Sequence, residues 1–117
     1  MHPFLERLKE WGCTVENTQA VILCDENFYM TMIPLALQDP QFRVVERAIQ
    51  RGDPQRTYRE ARTLAIKLNK MGMIPMLVTM AGIFRPIDQG TMDGVAEAFA
   101  QLIHQRDTVM EWFRELA

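Results

Sequence analysis

Ala61-Arg62-Thr63-Leu64-Ala65-Ile66-Lys67-Leu68-Asn69-Lys70-Met71-Gly72 is the stretch, residues 61–72, that decides how this chain folds. Ala61, Leu64, Leu68 and Met71 recur at spacings of three and four, the signature of an α-helix that buries one stripe. Arg62, Ile66 and Asn69 are left on the outward face, with Gln55 and Arg59 a turn or two earlier. Asp53-Pro54 supplies an acidic cap followed by a proline at the first helical position, and Gly72 supplies a residue able to end the helix. A central helix is therefore predicted from about Pro54 to Met71.

Helical periodicity continues on both sides, and no stretch alternates long enough to make a strand. Phe4, Leu5, Leu8 and Trp11 form the stripe of a short first helix closed by Gly12. Thr14 is placed to cap a second, carrying Val15 and Ile22, and Asp25 a third, with Phe28, Tyr29, Met32, Ile33 and Ala36 facing inward. Pro34 lies inside that third helix and is expected to kink it. Asp39-Pro40 starts the next helix, with Pro40 at its first position, Phe42, Val45 and Ile49 on one face, and Gly52 at its end. Beyond the central helix, Leu77, Met80, Phe84 and Ile87 repeat at 3-4-3 spacing in a helix that Pro86 and Gly90 should terminate. Val95, Phe99, Leu102, Val109, Phe113 and Leu116 carry the period through a final helix of about six turns. Short connections make neighbouring helices antiparallel. The fold class is thus all-α: an antiparallel up-and-down four-helix bundle with short additional N-terminal helices, one domain over 1–117 with its core at about 25–117.

The central segment resembles the histidine-containing phosphotransfer (HPt) domain of bacterial multistep phosphorelays. In that family the segment reads Ala-His-x-Leu-Lys-Gly, with another glycine six residues further on. Ala61, Leu64 and Gly72 match, whereas the histidine is Arg62, the lysine is Ala65 and the glycine is Ile66. Asp25-Glu26-Asn27-Phe28-Tyr29 is similar to the acidic start of the family's first core helix, Gln38-Asp39-Pro40-Gln41-Phe42 to the break after it, and Arg51-Gly52-Asp53 to the turn before the central helix. The likeness covers roughly residues 14 to 90, and the order and spacing of these short matches carry it. It implies the HPt-like bundle and a place in two-component signalling.

What the resemblance implies about chemistry is a loss. In a working phosphotransfer domain an exposed imidazole attacks an aspartyl phosphate and later passes the phosphoryl group on, which needs a free nitrogen lone pair near neutral pH. A guanidinium has no such lone pair to offer, so Arg62 cannot be the carrier. The family's glycine leaves space for the rim of the partner's active site and its lysine adds positive charge; Ile66 fills that space and Ala65 removes that charge. Lys67 lies nearly half a turn away around the helix. The expected partner surface is Gln55, Arg59, Arg62, Ala65, Ile66 and Asn69, and the expected partner is a response-regulator receiver domain or a histidine kinase. A guanidinium can pair two-pronged with the carboxylates of a receiver's acidic pocket, although Ile66 then calls for a shifted docking in which it acts as an apolar anchor.

Two other readings stand beside this one: a phosphorelay intermediate that uses a different acceptor, and a purely structural helical-bundle subunit. The histidines are His2, near the chain start, and His104, placed about 200° around the last helix from Leu102 and so exposed. His104 has Gln105, Arg106 and Asp107 as neighbours, which form no nucleophile-and-base set. No glycine-rich phosphate loop, paired-carboxylate signature or supported Ser/His/Asp arrangement is present, so the chain reads as non-enzymatic, with no cofactor. Cys13 and Cys24 lack ligand-like spacing, so no metal or redox pair is expected and both read as small buried hydrophobes. Met71, Met73, Met76 and Met80 read as core filler.

A formal net charge of −2 gives no general attraction for phosphate backbones, so nucleic acid is not the expected partner. Arg43, Arg47, Arg51, Arg56, Arg59 and Arg62 cluster, but Glu46, Asp53 and Glu60 are interleaved, as in a solvated face. No apolar run reaches the ~20 residues of a membrane span, and the start lacks the order of a signal peptide. The expectation is a cytoplasmic monomer.

Overall fold

The structure is a computed structural model describing residues 1–117. It contains seven helices and no strand: α1 Pro3–Trp11, α2 Val15–Ile22, α3 Glu26–Leu37, α4 Gln41–Gln50, α5 Pro54–Lys70, α6 Ile74–Asp88 and α7 Val95–Leu116. None is long and apolar enough to cross a membrane by itself. One cluster of 22 buried residues draws on every helix, from Phe4 in α1 to Val109 in α7, so α1 and α2 belong to the same core as the rest.

The helix ends follow from their caps. Asp53 Oδ1 accepts from the Arg56 N–H at 3.0 Å and Asp25 Oδ1 from the Phe28 N–H at 2.8 Å, each satisfying a donor that a helix start leaves free. α4 begins at Gln41, one residue later than expected; Asp39 Oδ1 still accepts from the Gln41 N–H at 2.8 Å. Thr14 precedes α2, but its hydroxyl makes no cap bond and meets the Thr18 hydroxyl at 3.3 Å instead. His2 has a defined place: its Nδ1 accepts from the Phe4 N–H at 3.1 Å and caps α1, while its own N–H donates to Glu26 at 2.7 Å. α3 runs continuously through Pro34, and α6 passes Pro86, expected to help terminate it, to end at Asp88 with Gln89 as its cap.

Sequential helices pack against each other, α4 on α5, α5 on α6 and α6 on α7, and α7 also touches α1, α3 and α4. Gln41 at the start of α4 donates to the Glu60 carbonyl in the middle of α5, whereas the other end of α4 adjoins the start of α5, so the two run antiparallel. Tyr58 near the start of α5 meets Phe84 near the end of α6, ring centroids 5.1 Å apart, which makes that pair antiparallel too. α6 and α7 close up at Gly82, where an added Cβ would lie 2.8 Å from the Ala98 Cβ.

The buried stripe of the central helix is Thr57, Ala61, Leu64 and Leu68, with Met71 just beyond it, and Met71, Met73, Met76 and Met80 are all core residues. Three inward assignments need correction. Phe28 is 56% exposed, because the buried stripe of α3 is Tyr29, Ile33 and Leu37, and Phe28 falls outside it. In α6 the fully buried side chains are Met76, Met80 and Ile83; Leu77, Phe84 and Ile87 flank them, since a helix packed on two neighbours has a wider apolar arc than one stripe. Cys24 is only half-buried.

The N-terminal helices are fastened at two places. α1 lies along the end of α7, with Phe4 edge-on to Phe113, Trp11 edge-on to Trp112, and the Arg7 guanidinium 4.8 Å above the Trp112 ring. The segment entering α2 and helix α3 both grip the α5–α6 turn: Thr14 N–H donates to the Gly72 carbonyl at 3.1 Å, and the buried Tyr29 hydroxyl of α3 donates to the Met71 carbonyl at 2.7 Å. Losing the hydroxyl would strand that carbonyl, at a cost of about 1–3 kcal/mol.

Asp39 ties α3, α4 and α5 together through its bond to Gln41 and a two-oxygen contact with the Lys67 ammonium at 3.0 and 3.1 Å. Partial burial pushes its carboxyl pKa up, but the Gln41 N–H and the bond and charge of Lys67 outweigh this and leave it below the ordinary 3.8. A carboxylate with a lowered folded pKa contributes stability above its unfolded value and loses it as pH falls through the folded one. Asp39→Ala is therefore expected to cost about 1–2 kcal/mol at neutral pH, from a cap and a partly exposed ion pair. Thermal melts of both proteins should converge as pH is taken below 3.8; a gap that stays constant to low pH would show the ionised carboxyl to be irrelevant.

Candidate functional site

The outward face of α5 does not stand alone. Between α5 and α6 lies an open groove of about 510 Å³, lined by Tyr58, Arg62, Ala65, Ile66, Asn69 and Lys70 from α5 and by Leu77 and Phe84 from α6. Tyr58, Arg62, Ile66 and Asn69 occupy it because they recur at spacings of four, four and three, one ridge of the helix. Leu77 and Phe84 are seven residues apart and present the facing ridge.

Arg62 is exposed and takes part in none of the four ion pairs of the structure. Ile66 is 51% exposed, Asn69 is exposed and Ala65 half-buried. Four of the six residues expected at the partner surface thus come together in the groove. Gln55 and Arg59 are exposed on the same helix but do not line it; Arg59 turns to Glu60, its Nε 3.3 Å from the carboxylate.

Tyr58, Lys70, Leu77 and Phe84 join the groove without having been expected there. A signal for Tyr58 exists in the sequence, since it stands one turn before Arg62 on the same ridge. The spacing of Leu77 and Phe84 points to the core, yet both are only half-buried. Lys67 cannot replace the cation missing at Ala65, because its ammonium is held by Asp39 on the α3 side of the helix.

The arrangement offers an apolar floor of Tyr58, Ile66, Leu77 and Phe84 with two cations, Arg62 and Lys70, and no carboxylate in the lining. That suits a partner bearing an apolar side chain next to acidic groups, since an unpaired guanidinium can take a carboxylate in two-pronged fashion. Its lining holds no histidine, cysteine or serine. His104 is exposed on α7, away from the groove, and no cluster of three metal-ligating side chains is present. Burial pushes the Cys13 thiol up to about 12, and its sulfur sits 3.7 Å from that of Met73, so it stays protonated in the core. Comparison with family models, with curated proteins and with solved structures gives no match.

Proposed function

We propose that this chain is a phosphotransfer-like module without a phosphoacceptor, which docks a response-regulator receiver domain or a histidine kinase through the α5–α6 groove. The observation that carries the reading is Arg62: an unpaired guanidinium, exposed midway along the central helix beside an apolar groove, where the resemblance would put the relay histidine. On this reading α3 is the first core helix and α4 to α7 continue the antiparallel bundle of an HPt domain. The successive antiparallel pairs support it, as does the return of α7 to α4, where the Arg106 guanidinium lies 5.2 Å from the Phe42 ring.

In this mode Arg62 enters the acidic phosphorylation pocket of a receiver, Ile66 and Phe84 give the apolar contact, and Lys70 adds charge at the edge. No phosphoryl group moves, so the module occupies or tethers its partner rather than relaying a signal. The test is titration of the purified chain against receiver and kinase domains from its own organism, with heat or mobility as readout. Arg62→Ala should weaken the complex by about 10-fold or more, as truncating a charged anchor does. Equal affinities for wild type and variant would discard the role of Arg62, and binding by neither class of partner would discard the module.

A further inference from the structure

The outward face of α3 carries two strongly exposed large apolar side chains on one helix. From Asn27 to Gln38 the chain carries no charged side chain. Phe28 is 56% exposed and Leu35 67%; seven residues apart, they stand on one ridge. Val21 and Leu23, in the segment just before, are 72% and 91% exposed, and Leu23 reaches that position with a left-handed backbone, φ 52°. Scattered apolar side chains on a surface need no explanation, but Phe28 and Leu35 share one ridge of a helix face that has no charge between Asn27 and Gln38, which marks a contact surface.

Its charges are placed at opposite ends. Asp25 stands at the start of α3. Along the opposite half of the ridge, Met32, Leu35 and Ala36 form one wall of a trough whose other wall is Lys67, Lys70 and Met71. Lys67 is taken by Asp39, whereas Lys70 makes no ion pair. With ~1.5 Å of rise per residue, Asp25 and Leu35 are ~15 Å apart along the helix.

A surface with an acid at one end, a free lysine towards the other and an apolar ridge between them is complementary to itself when turned by 180°. We propose that two copies of the chain associate here, α3 against α3 and antiparallel about a two-fold axis. Phe28 of each copy then packs beside Leu35 of the other, and Asp25 of each faces Lys70 of the other, the self-matching contact that a two-fold interface requires. This departs from the monomer expected from the sequence. A lipid surface fits less well, because the near end of the ridge carries Asp25 and Glu26 and no basic cluster that would draw it to anionic headgroups.

Sedimentation of the full chain alone, from micromolar to millimolar concentration, tests this without any signalling partner, so its outcome is separate from that of the Arg62 experiment. The mass should rise from 13.6 kDa toward twice that value. Leu35→Glu should weaken association at least ~10-fold with an unchanged helical spectrum, since the exposed position carries no core packing. Phe28→Glu, at the other end of the same ridge and 56% exposed, gives the same readout should Leu35→Glu fail to fold. Lys70→Glu should also weaken the dimer, and adding Asp25→Asn, which keeps the cap, should restore part of it. A chain that stays monomeric to millimolar concentration, a dimer indifferent to Leu35→Glu and Phe28→Glu, or a monomer that co-sediments with phospholipid vesicles overturns the proposal.

Discussion

Gly72→Ala is expected to destabilise the fold by about 2–5 kcal/mol, a large share of the 5–15 kcal/mol that holds a domain of this size together. Two costs add. The residue sits at φ +72°, where a side chain costs about 1–2 kcal/mol. Its Cβ would also collide with the Thr18 hydroxyl and lie 2.8 Å from the Thr14 hydroxyl and 3.2 Å from the Thr14 carbonyl. Overpacking of this kind costs about 1–3 kcal/mol, and the carbonyl, being backbone, can move only if the start of α2 moves. Gly90→Ala is the control: φ is +84°, but nothing lies within 4 Å of the added methyl, so only the backbone cost applies. Urea midpoints followed by helical ellipticity measure both. Equal losses at the two positions would mean that α2 is not seated on the α5–α6 turn.

That glycine also marks the limit of what the sequence discloses. Its role as the end of the central helix is legible, because Gly72 follows Met71, the last buried position of a 3.6-residue pattern. Its second role is not legible: the 3.1 Å bond from Thr14 and the closeness of Thr18 depend on a segment more than fifty residues earlier. The same division holds elsewhere. The caps Asp25 and Asp53 and the stripe Ala61-Leu64-Leu68-Met71 are local, and the structure has them as read. The exposure of Phe28 and the partial exposure of Leu77 and Phe84 depend on how each helix is rotated about its axis, which its neighbours set. Periodicity alone offers two adjacent apolar stripes for α3; the buried one is Tyr29, Ile33 and Leu37, with Tyr29 bonded to the Met71 carbonyl. The candidate site divides likewise: Arg62, Ala65, Ile66 and Asn69 are readable on one helix, while the opposite wall belongs to α6.

If the central helix is a relay helix that has lost its chemistry, restoring that chemistry should restore transfer. The triple variant Arg62→His, Ala65→Lys, Ile66→Gly is expected to take a phosphoryl group from a phosphorylated receiver under conditions in which wild type takes none. The imidazole introduced by Arg62→His would supply the lone pair that attacks phosphorus as the aspartate oxygen leaves. The ammonium introduced by Ala65→Lys would place a cation by the charge that develops, an effect on the order of 10²-fold in a preorganised site. Ile66→Gly would remove the side chain that crowds the partner's rim. The fold should tolerate the changes, since Arg62 is exposed and Ile66 is 51% exposed; glycine in an exposed helix interior costs about 1 kcal/mol. Arg62→His alone should label far less, because Ile66 would keep the receiver in the shifted docking and Ala65 supplies no cation. The label must be acid-labile and absent when arginine is kept at position 62, which separates a restored relay from adventitious modification of His104. A folded triple variant that remains unlabelled by phosphorylated receivers and kinases competent toward an authentic phosphotransfer domain would show that the groove never faced such a partner, since every group the transfer needs on this side would then be present.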